Sequence, residues 1–147
     1  MAKSSDASAD AKELTKFAMT LYQLVEAVRG EHEQAAASAG LTAAQATILI
    51  MLSEPTSMRK LAEQMGCDAS NITGIVDRLE AKGLVERGAD AVDRRIKRIG
   101  QTAAGKRAMD RFQRELVRAS SLADLTPTAK RKLLTALAEI RRRPARP

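Results

Sequence analysis

The chain has 147 residues, a formal net charge of +7 and 44% hydrophobic residues, with one cysteine and one histidine. That length suits one domain with its own core, and the positive charge favours a polyanionic partner. A single cysteine excludes an internal disulfide and fits a reducing, cytoplasmic setting. The sequence contains no long uncharged apolar run, so no transmembrane helix is expected. The first ten residues are polar and lack the pattern of a secretory signal.

The first predicted element is a long amphipathic helix within residues 10–37. Its apolar side chains recur at steps of three and four residues, which is the helical period. Thr42 and Gln45 have the spacing of a capping box, so a second helix is expected to begin there and to end near Pro55. The apolar stripe of the first helix consists of Leu14, Phe17, Leu21, Val25 and Val28.

Two shorter helices are predicted next, separated by a tight turn. The first runs from Met58 to Gly66, where glycine can take the left-handed conformation that ends a helix. The second begins at Asp68, whose carboxylate is expected to cap its first turn. Small polar groups on one face of this helix suit the base edges of the DNA major groove, although an amphipathic helix also carries such groups simply as solvated residues. The predicted DNA contacts are Ser70, Asn71, Thr73, Gly74 and Arg78.

A basic hairpin is predicted after Gly83, with strands at 84–87 and 96–99. Arginine at the tip of such a hairpin can enter a narrow minor groove, where the negative potential is concentrated. Carboxylates in the loop are expected to orient the arginines through charge-assisted hydrogen bonds. The alternative is a solvated turn whose charges pair only with each other. The expected contacts of this segment with DNA are Arg87, Asp93, Arg94, Arg95 and Lys97.

Two more helices are predicted, one capped by Thr102 and one with Pro127 at its first position. The predicted fold class is mainly α with a small β-hairpin wing, a winged helix-turn-helix with N- and C-terminal dimerisation helices. We expect a single domain over residues 1–147. Within it, a DNA-binding lobe at 41–102 lies between dimerisation helices at 10–37 and 103–143. In a monomer, the apolar faces of those helices would instead fold back on the core.

The run from Leu41 to Gly105 resembles the MarR family of bacterial transcriptional regulators. The resemblance implies a homodimer that binds a pseudo-palindromic operator in double-stranded DNA, often as a repressor released by a small molecule or an oxidant. Many members have arginine in place of Gly74 and leucine in place of Gln101, and the second departure has no explanation in the sequence. The matching segments are Leu41 to Gln45, Leu61 to Gly66, Val76 to Arg87, Asp93 to Arg95 with Lys97, and Thr102 to Gly105.

The resemblance also implies an effector pocket where the dimerisation helices meet the DNA-binding lobe. Arg29 and His32 lie three residues apart on one predicted helix and could hold a small aromatic carboxylate. The alternative is that both are surface residues beside neighbouring glutamates. The apolar part of the pocket is expected to come from Met19, Tyr22 and Met51.

No catalytic site, metal site or cofactor is predicted. One histidine cannot complete a zinc site or a catalytic triad, and the sequence has no phosphate-binding glycine loop. Cys67 is expected to be an ordinary thiol in the turn between the two short helices, with a redox switch as the alternative. The expected function is therefore sequence-specific regulation of transcription. The alternatives are an architectural DNA-binding protein with little base readout, and a winged helix that binds only protein.

Overall fold

The structure is a computed structural model that describes residues 2–89 and 97–142, with side chains from Asp10 onward other than that of Ala69. The fold is mainly helical with one antiparallel hairpin, which confirms the predicted fold class. In chain order the elements are α1 (Ala2–Ser38), α2 (Ala43–Met51), α3 (Met58–Met65), α4 (Ala69–Ala81), β1 (Val85–Ala89), β2 (Lys97–Gln101), α5 (Ala103–Ala119) and α6 (Pro127–Arg142).

The first helix is longer than predicted. It begins at Ala2 and runs for 37 residues, or roughly 55 Å at the usual rise per residue. Alanine and lysine near its start are good helix formers, so the small polar residues there continue the helix. The side chains of residues 10–20 are all exposed, whereas Ala35 and Ala36 near the other end are buried. Among the described side chains of α1, those that pack on the core of the same chain therefore lie in its C-terminal half.

The second helix begins with the predicted capping box. The Thr42 hydroxyl accepts a hydrogen bond from the Gln45 backbone N–H at 3.2 Å. The Gln45 side chain in turn accepts one from the Thr42 backbone N–H at 3.1 Å. These two bonds satisfy N–H groups that a helix leaves unpaired in its first turn. The helix then places Ile48 and Leu49 in the core, where both side chains are completely buried.

The hydrophobic core lies in the middle of the chain, between α2, α3, α4 and the hairpin, and α5 closes it. Each element contributes side chains at the spacing of its own period, so one face of every helix is apolar. The largest completely buried side chains are Phe112, Ile48, Leu49, Leu52, Leu61, Ile72, Leu79, Ile99, Val76 and Val85.

The hairpin is fixed to the loop that joins α2 and α3. In its antiparallel register Val85 lies opposite Gln101, and Ala89 lies opposite Lys97. Thr56 extends the sheet on the other edge of β2. Its N–H donates to the Ile99 carbonyl at 3.0 Å, and the Ile99 N–H donates back at 2.8 Å. The root of the wing is therefore held by backbone hydrogen bonds on both edges of β2.

Two helices follow the hairpin. Thr102 caps α5 as predicted, since its hydroxyl accepts a hydrogen bond from the Gly105 N–H at 3.0 Å. That hydroxyl also donates to the Gly83 carbonyl at 2.7 Å, which joins the start of α5 to the end of α4. Gly105 is required there, because a Cβ would collide with the Leu84 carbonyl oxygen. One face of α5 packs along α1, whereas α6 has no buried side chain in the described part of the chain.

Candidate nucleic-acid interface

The turn between α3 and α4 has the geometry that its sequence predicts, with one exception. Gly66 ends α3 in the left-handed conformation, at φ 61°. Asp68 occupies the N-cap position of α4 with extended backbone angles, but its side chain makes no capping hydrogen bond. The prediction that the Asp68 carboxylate caps α4 is therefore wrong. The Asn71 N–H bonds instead to the Asp68 backbone carbonyl at 3.1 Å, which closes the first turn.

The fourth helix has one buried face and one polar face. Ile72, Ile75, Val76 and Leu79 are buried, as the apolar stripe predicts. Ser70, Asn71, Thr73 and Arg78 are exposed, and Gly74 is half-buried among them. The helix is thus anchored by its apolar face while it presents hydrogen-bonding groups outward.

The glycine at position 74 changes the shape of that polar face. A Cβ at Gly74 would lie 3.9 Å from Nη2 of Arg78, an ordinary van der Waals distance. The Arg78 guanidinium therefore lies close to the place that a side chain at position 74 would occupy. This leaves Arg78 as the one arginine on the exposed face of α4.

Arg87 lies at the start of the wing and is bound to the fourth helix. Its guanidinium donates to Asp77 at 2.5 Å and also to Glu80. The hydrogen bond to Asp77, followed by the charge of Glu80, raises the pKa of Arg87. The Arg87 side chain is 30% exposed. Both of its acceptors lie on α4, so this ion-pair cluster joins β1 to the helix with the polar face.

The rest of the wing is described only at its root. Lys97 is exposed at the first position of β2. Asp93, Arg94 and Arg95 lie outside the described residues, so their predicted roles stay predictions. Arg98 donates from Nη1 to the Pro55 carbonyl at 3.0 Å, which adds a side-chain contact between β2 and the loop before α3.

Four of the five candidate effector residues lie on α1, and Met51 is the last residue of α2. Arg29 is exposed and lies within 4 Å of Glu26 and of Glu33 on its own helix. Met51 lines a cavity of about 390 Å³ with residues of the α2–α3 loop, α3 and β2, and none of the other four candidates lines that cavity. Met19 and Tyr22 are exposed side chains on α1, 53% and 61% accessible.

His32 lies between helices, and its role as an effector contact stays a prediction. It is half-buried between α1, α2 and α5, and its ring meets the Phe112 ring edge-on at 5.0 Å between centroids. Its Nε2 lies 3.3 Å from the Ala43 carbonyl oxygen and 3.3 Å from the Thr47 hydroxyl. His32 thus joins the first helix to the start of the second.

Two further side chains connect elements in ways that the sequence analysis missed. Lys82 donates from Nζ to the Gly40 carbonyl at 3.1 Å and to the Gln45 side chain at 3.2 Å. Gln101 donates from its amide nitrogen to the Leu49 carbonyl at 2.7 Å and to the Leu52 carbonyl at 3.3 Å. The contacts of Gln101 could have been suspected from the sequence, because many members of the family have leucine at that position. For Lys82 the sequence carries no such signal.

The fold and the exposed polar face of α4 beside a basic hairpin define a winged helix-turn-helix protein. The model of the family described as "MarR family" matches residues 41–97. The transcriptional activatory protein BadR of Rhodopseudomonas palustris is 31% identical over 122 residues, which are 78% of this chain and 70% of BadR. The chain belongs to the MarR family and is a transcriptional regulator of that family.

Solved structures with a similar fold include two bacterial or archaeal proteins. CouR from Rhodococcus jostii RHA1, whose structure holds p-coumaroyl-CoA, superposes with a TM-score of 0.76 and 28% identity, over 89% of this chain and 95% of CouR. The transcriptional regulator BldR from Sulfolobus solfataricus superposes with a TM-score of 0.66 and 30% identity, over 86% of this chain and 95% of BldR. Among the described residues, no helix is long and apolar enough to cross a membrane.

Proposed function

We propose that this regulator binds a pseudo-palindromic operator as a homodimer and reads bases with α4. The observation that carries the proposal is the exposed polar face of α4, held in place by four buried apolar side chains of the same helix. A protein that contacts only phosphates would gain nothing from amide and hydroxyl groups there, since lysine serves that purpose better. The residues proposed to contact bases are Ser70, Asn71, Thr73 and Arg78.

The wing is proposed to supply the second set of contacts. Arg94 enters the minor groove, Arg95 contacts the adjacent phosphates, and Asp93 orients both arginines. Lys97, the exposed first residue of β2, is close in sequence to Arg94 and Arg95 and suits a phosphate contact. Arg87 has two carboxylate partners on α4. We therefore assign it to placing the wing and not to contacting DNA.

The flanking helices at 10–37 and 103–143 are proposed to form the dimer, around a DNA-binding lobe at 41–102. The support is a set of large apolar side chains that stay exposed in the single chain. Half-sites would then lie about one helical turn of DNA apart, because both wings must meet the same side of the duplex. These exposed side chains include Leu14, Phe17, Val25, Val117, Leu134 and Ile140.

Competition between a selected duplex and a random duplex at fixed salt tests the proposal against an architectural DNA-binding protein. A sequence-specific regulator should prefer the selected duplex by about 10³-fold or more. Arg94→Ala should weaken that binding by roughly 1–3 kcal/mol without unfolding the protein. Equal affinity for both duplexes would instead support the architectural function, which the high positive charge favours.

A small aromatic carboxylate, or a thioester of one, is the proposed effector. The support is the p-coumaroyl-CoA bound to CouR and the basic and aromatic residues of α1, which a second protomer would have to enclose. Such a ligand should raise the melting temperature by mass action and should weaken operator binding. Operator DNA should weaken ligand binding by the same factor, because linkage is reciprocal. Arg29→Ala should abolish both effects. A thermal shift that survives this substitution would place the ligand elsewhere.

We propose that the regulator represses its target. Loss of the protein should then raise the level of the transcript downstream of the operator. A fall in that transcript would show that the protein is an activator. The similar protein BadR is named a transcriptional activatory protein.

A further inference from the structure

The side chain of Gln101 ends at the C-terminus of α2. Its amide nitrogen lies 2.7 Å from the Leu49 carbonyl oxygen and 3.3 Å from the Leu52 carbonyl oxygen. The last carbonyls of a helix lack the N–H group of a following turn, so they are open to other donors. The Leu49 carbonyl also accepts a hydrogen bond from the Leu52 N–H at 3.2 Å, so Gln101 adds a second donor there. The side chains of Leu49 and Leu52 are buried, at 0% and 2% exposure. Gln101 therefore supplies a donor to backbone groups at the edge of the core.

A leucine at position 101 could fill much of the same space but could not donate a hydrogen bond. Loss of the Gln101 donor weakens the hydrogen bonding of these buried carbonyls, although the Leu49 carbonyl keeps its bond from the Leu52 N–H. Gln101 therefore joins β2 to α2 through hydrogen bonds as well as through packing.

The other end of α2 is linked to α1. His32 Nε2 lies 3.3 Å from the Ala43 carbonyl oxygen and from the Thr47 hydroxyl. A helix of nine residues spans only about 14 Å. Side-chain hydrogen bonds thus join this short helix to the long helix at one end and to the wing at the other.

Gln101 also has a defined place in the wing. It is the last residue of β2 and lies opposite Val85, while Lys97 is the first residue of the same strand and lies opposite Ala89. Over these five residues a strand extends about 13–17 Å. Fixing the Gln101 end of β2 therefore limits the direction of the strand and with it the position of Lys97 at the other end.

We propose that Gln101 is a positioning residue for DNA binding, whose amide links the wing to α2 and, through α2, to α1. The effect of Gln101 on the position of the wing concerns the free protein and does not depend on the proposed function. The effect of Gln101 on DNA binding rests on the proposed function, so the two effects are tested separately.

Hydrogen exchange of the free protein tests the link itself. Gln101→Leu keeps the volume and removes the donor, whereas Gln101→Glu keeps the shape and places an acceptor against the two carbonyls. Both variants should exchange the amides of β1 and β2 about tenfold faster, while α4 and α5 keep their protection. The control is Gln113→Leu, an exposed glutamine of α5. Unchanged exchange in the hairpin of Gln101→Leu would overturn the proposal. If Gln101→Glu unfolds, Gln101→Leu alone decides.

A double-mutant cycle tests the effect on DNA. With a duplex selected from a random pool, Gln101→Leu should weaken binding about tenfold in the parent protein and less than about twofold in an Arg94→Ala background. The same factor in both backgrounds would show that Gln101 does not act through the wing, and would overturn the positioning role. If Arg94→Ala itself leaves affinity unchanged, the proposed wing contact fails, and the exchange experiment still decides whether Gln101 holds the hairpin.

Discussion

Arg78 and Arg87 carry the same charge and have different surroundings. Arg78 is exposed on the polar face of α4, close to the space left open at Gly74. Arg87 is bound by Asp77 and Glu80, so its charge is paired with two carboxylates within the protein. A positive charge near a DNA-binding helix is therefore not evidence of a DNA contact until its partners within the protein are known.

Asn71→Ala should relax base preference at one position of each half-site. Asn71 is exposed on α4, and asparagine can bind adenine with two hydrogen bonds. We expect a loss of about 1–3 kcal/mol for the selected duplex and little change for random DNA. Affinity measured over a library of single-base variants checks this. As a control, Lys97→Ala should weaken all sequences alike, and an equal loss on all sequences for Asn71→Ala would make Asn71 a backbone contact.

Glu31 makes part of the stability depend on pH. Its Oε1 accepts a hydrogen bond from the Ser121 N–H at 2.9 Å. That bond, with the hydroxyls of Ser121 and Ser120, lowers the pKa of Glu31 below its ordinary value. A lowered pKa means that the charged carboxylate stabilises the fold above the pKa of an unfolded glutamate. The contribution is lost as the pH falls through the lowered value.

The melting temperature of Glu31→Gln should therefore lie below that of the parent at neutral pH and approach it in acid. Glutamine keeps the shape and an acceptor oxygen, so the comparison isolates the charge. Melting curves from pH 7 to pH 3 provide the measurement. Glu33→Gln, an exposed glutamate of the same helix, is the control. A gap between parent and variant that stays constant to the acid end would rule out this role for the Glu31 charge.

The helices and strands depend on one another for their positions. Thr56 pairs with Ile99, Thr102 bonds to the Gly83 carbonyl, and Arg87 joins β1 to α4. Each contact crosses from one element to the next within the lobe. The wing is therefore held in the same unit as α4, as the proposed binding of both to one duplex requires.

Arg87→Met should lower the free energy of unfolding by up to about 1 kcal/mol. The substitution removes two ion pairs and leaves Asp77 and Glu80 to repel each other at i,i+3. The loss should shrink at high salt, since the pairs are partly exposed. Arg59→Met is the matched control, because Arg59 pairs with Glu63 on the surface of α3. If denaturant titrations give both variants the same small loss in the free energy of unfolding, the Arg87 cluster stabilises the fold no more than an ordinary surface ion pair.

At the scale of the whole molecule, one chain leaves its outer helices uncovered. The side chains of residues 10–20 are all exposed, and α6 has no buried side chain in the described part of the chain. Exposure of the apolar side chains of both helices to water is unfavourable, and their burial would stabilise the protein. A second copy of the chain would bury them in an interface of the size that permanent dimers have, above about 2,000 Å².

Removal of residues 126–147 should therefore give a monomer or an insoluble chain. The deletion takes away α6 and, with it, Leu134 and Ile140, which are 68% and 49% exposed in the single chain. Sedimentation or light scattering of the purified protein provides the measurement. Removal of residues 143–147 alone, after the end of α6, is the control and should leave the oligomer unchanged. A well-behaved dimer with full operator affinity after the larger deletion would show that α6 is not part of the interface.

The sequence by itself determined the elements, the polar face of α4 and the resemblance to the family. Glycine stops, the Thr42 box and the 3.6-residue period act between neighbours in the chain, so they can be recognised without the fold. The two helices within 103–143 were also predicted from their first residues, since α5 begins after Thr102 and α6 begins at Pro127.

The tertiary structure decided which charged and polar groups are free to act. His32 and Gln101 bond to opposite ends of α2, and Arg87 bonds to α4, across separations of 7–52 residues. Asp68 occupies a cap position without making the expected bond. A side chain's partner depends on which backbone groups other elements bring within about 3 Å, and a pattern of neighbouring residues contains no such information.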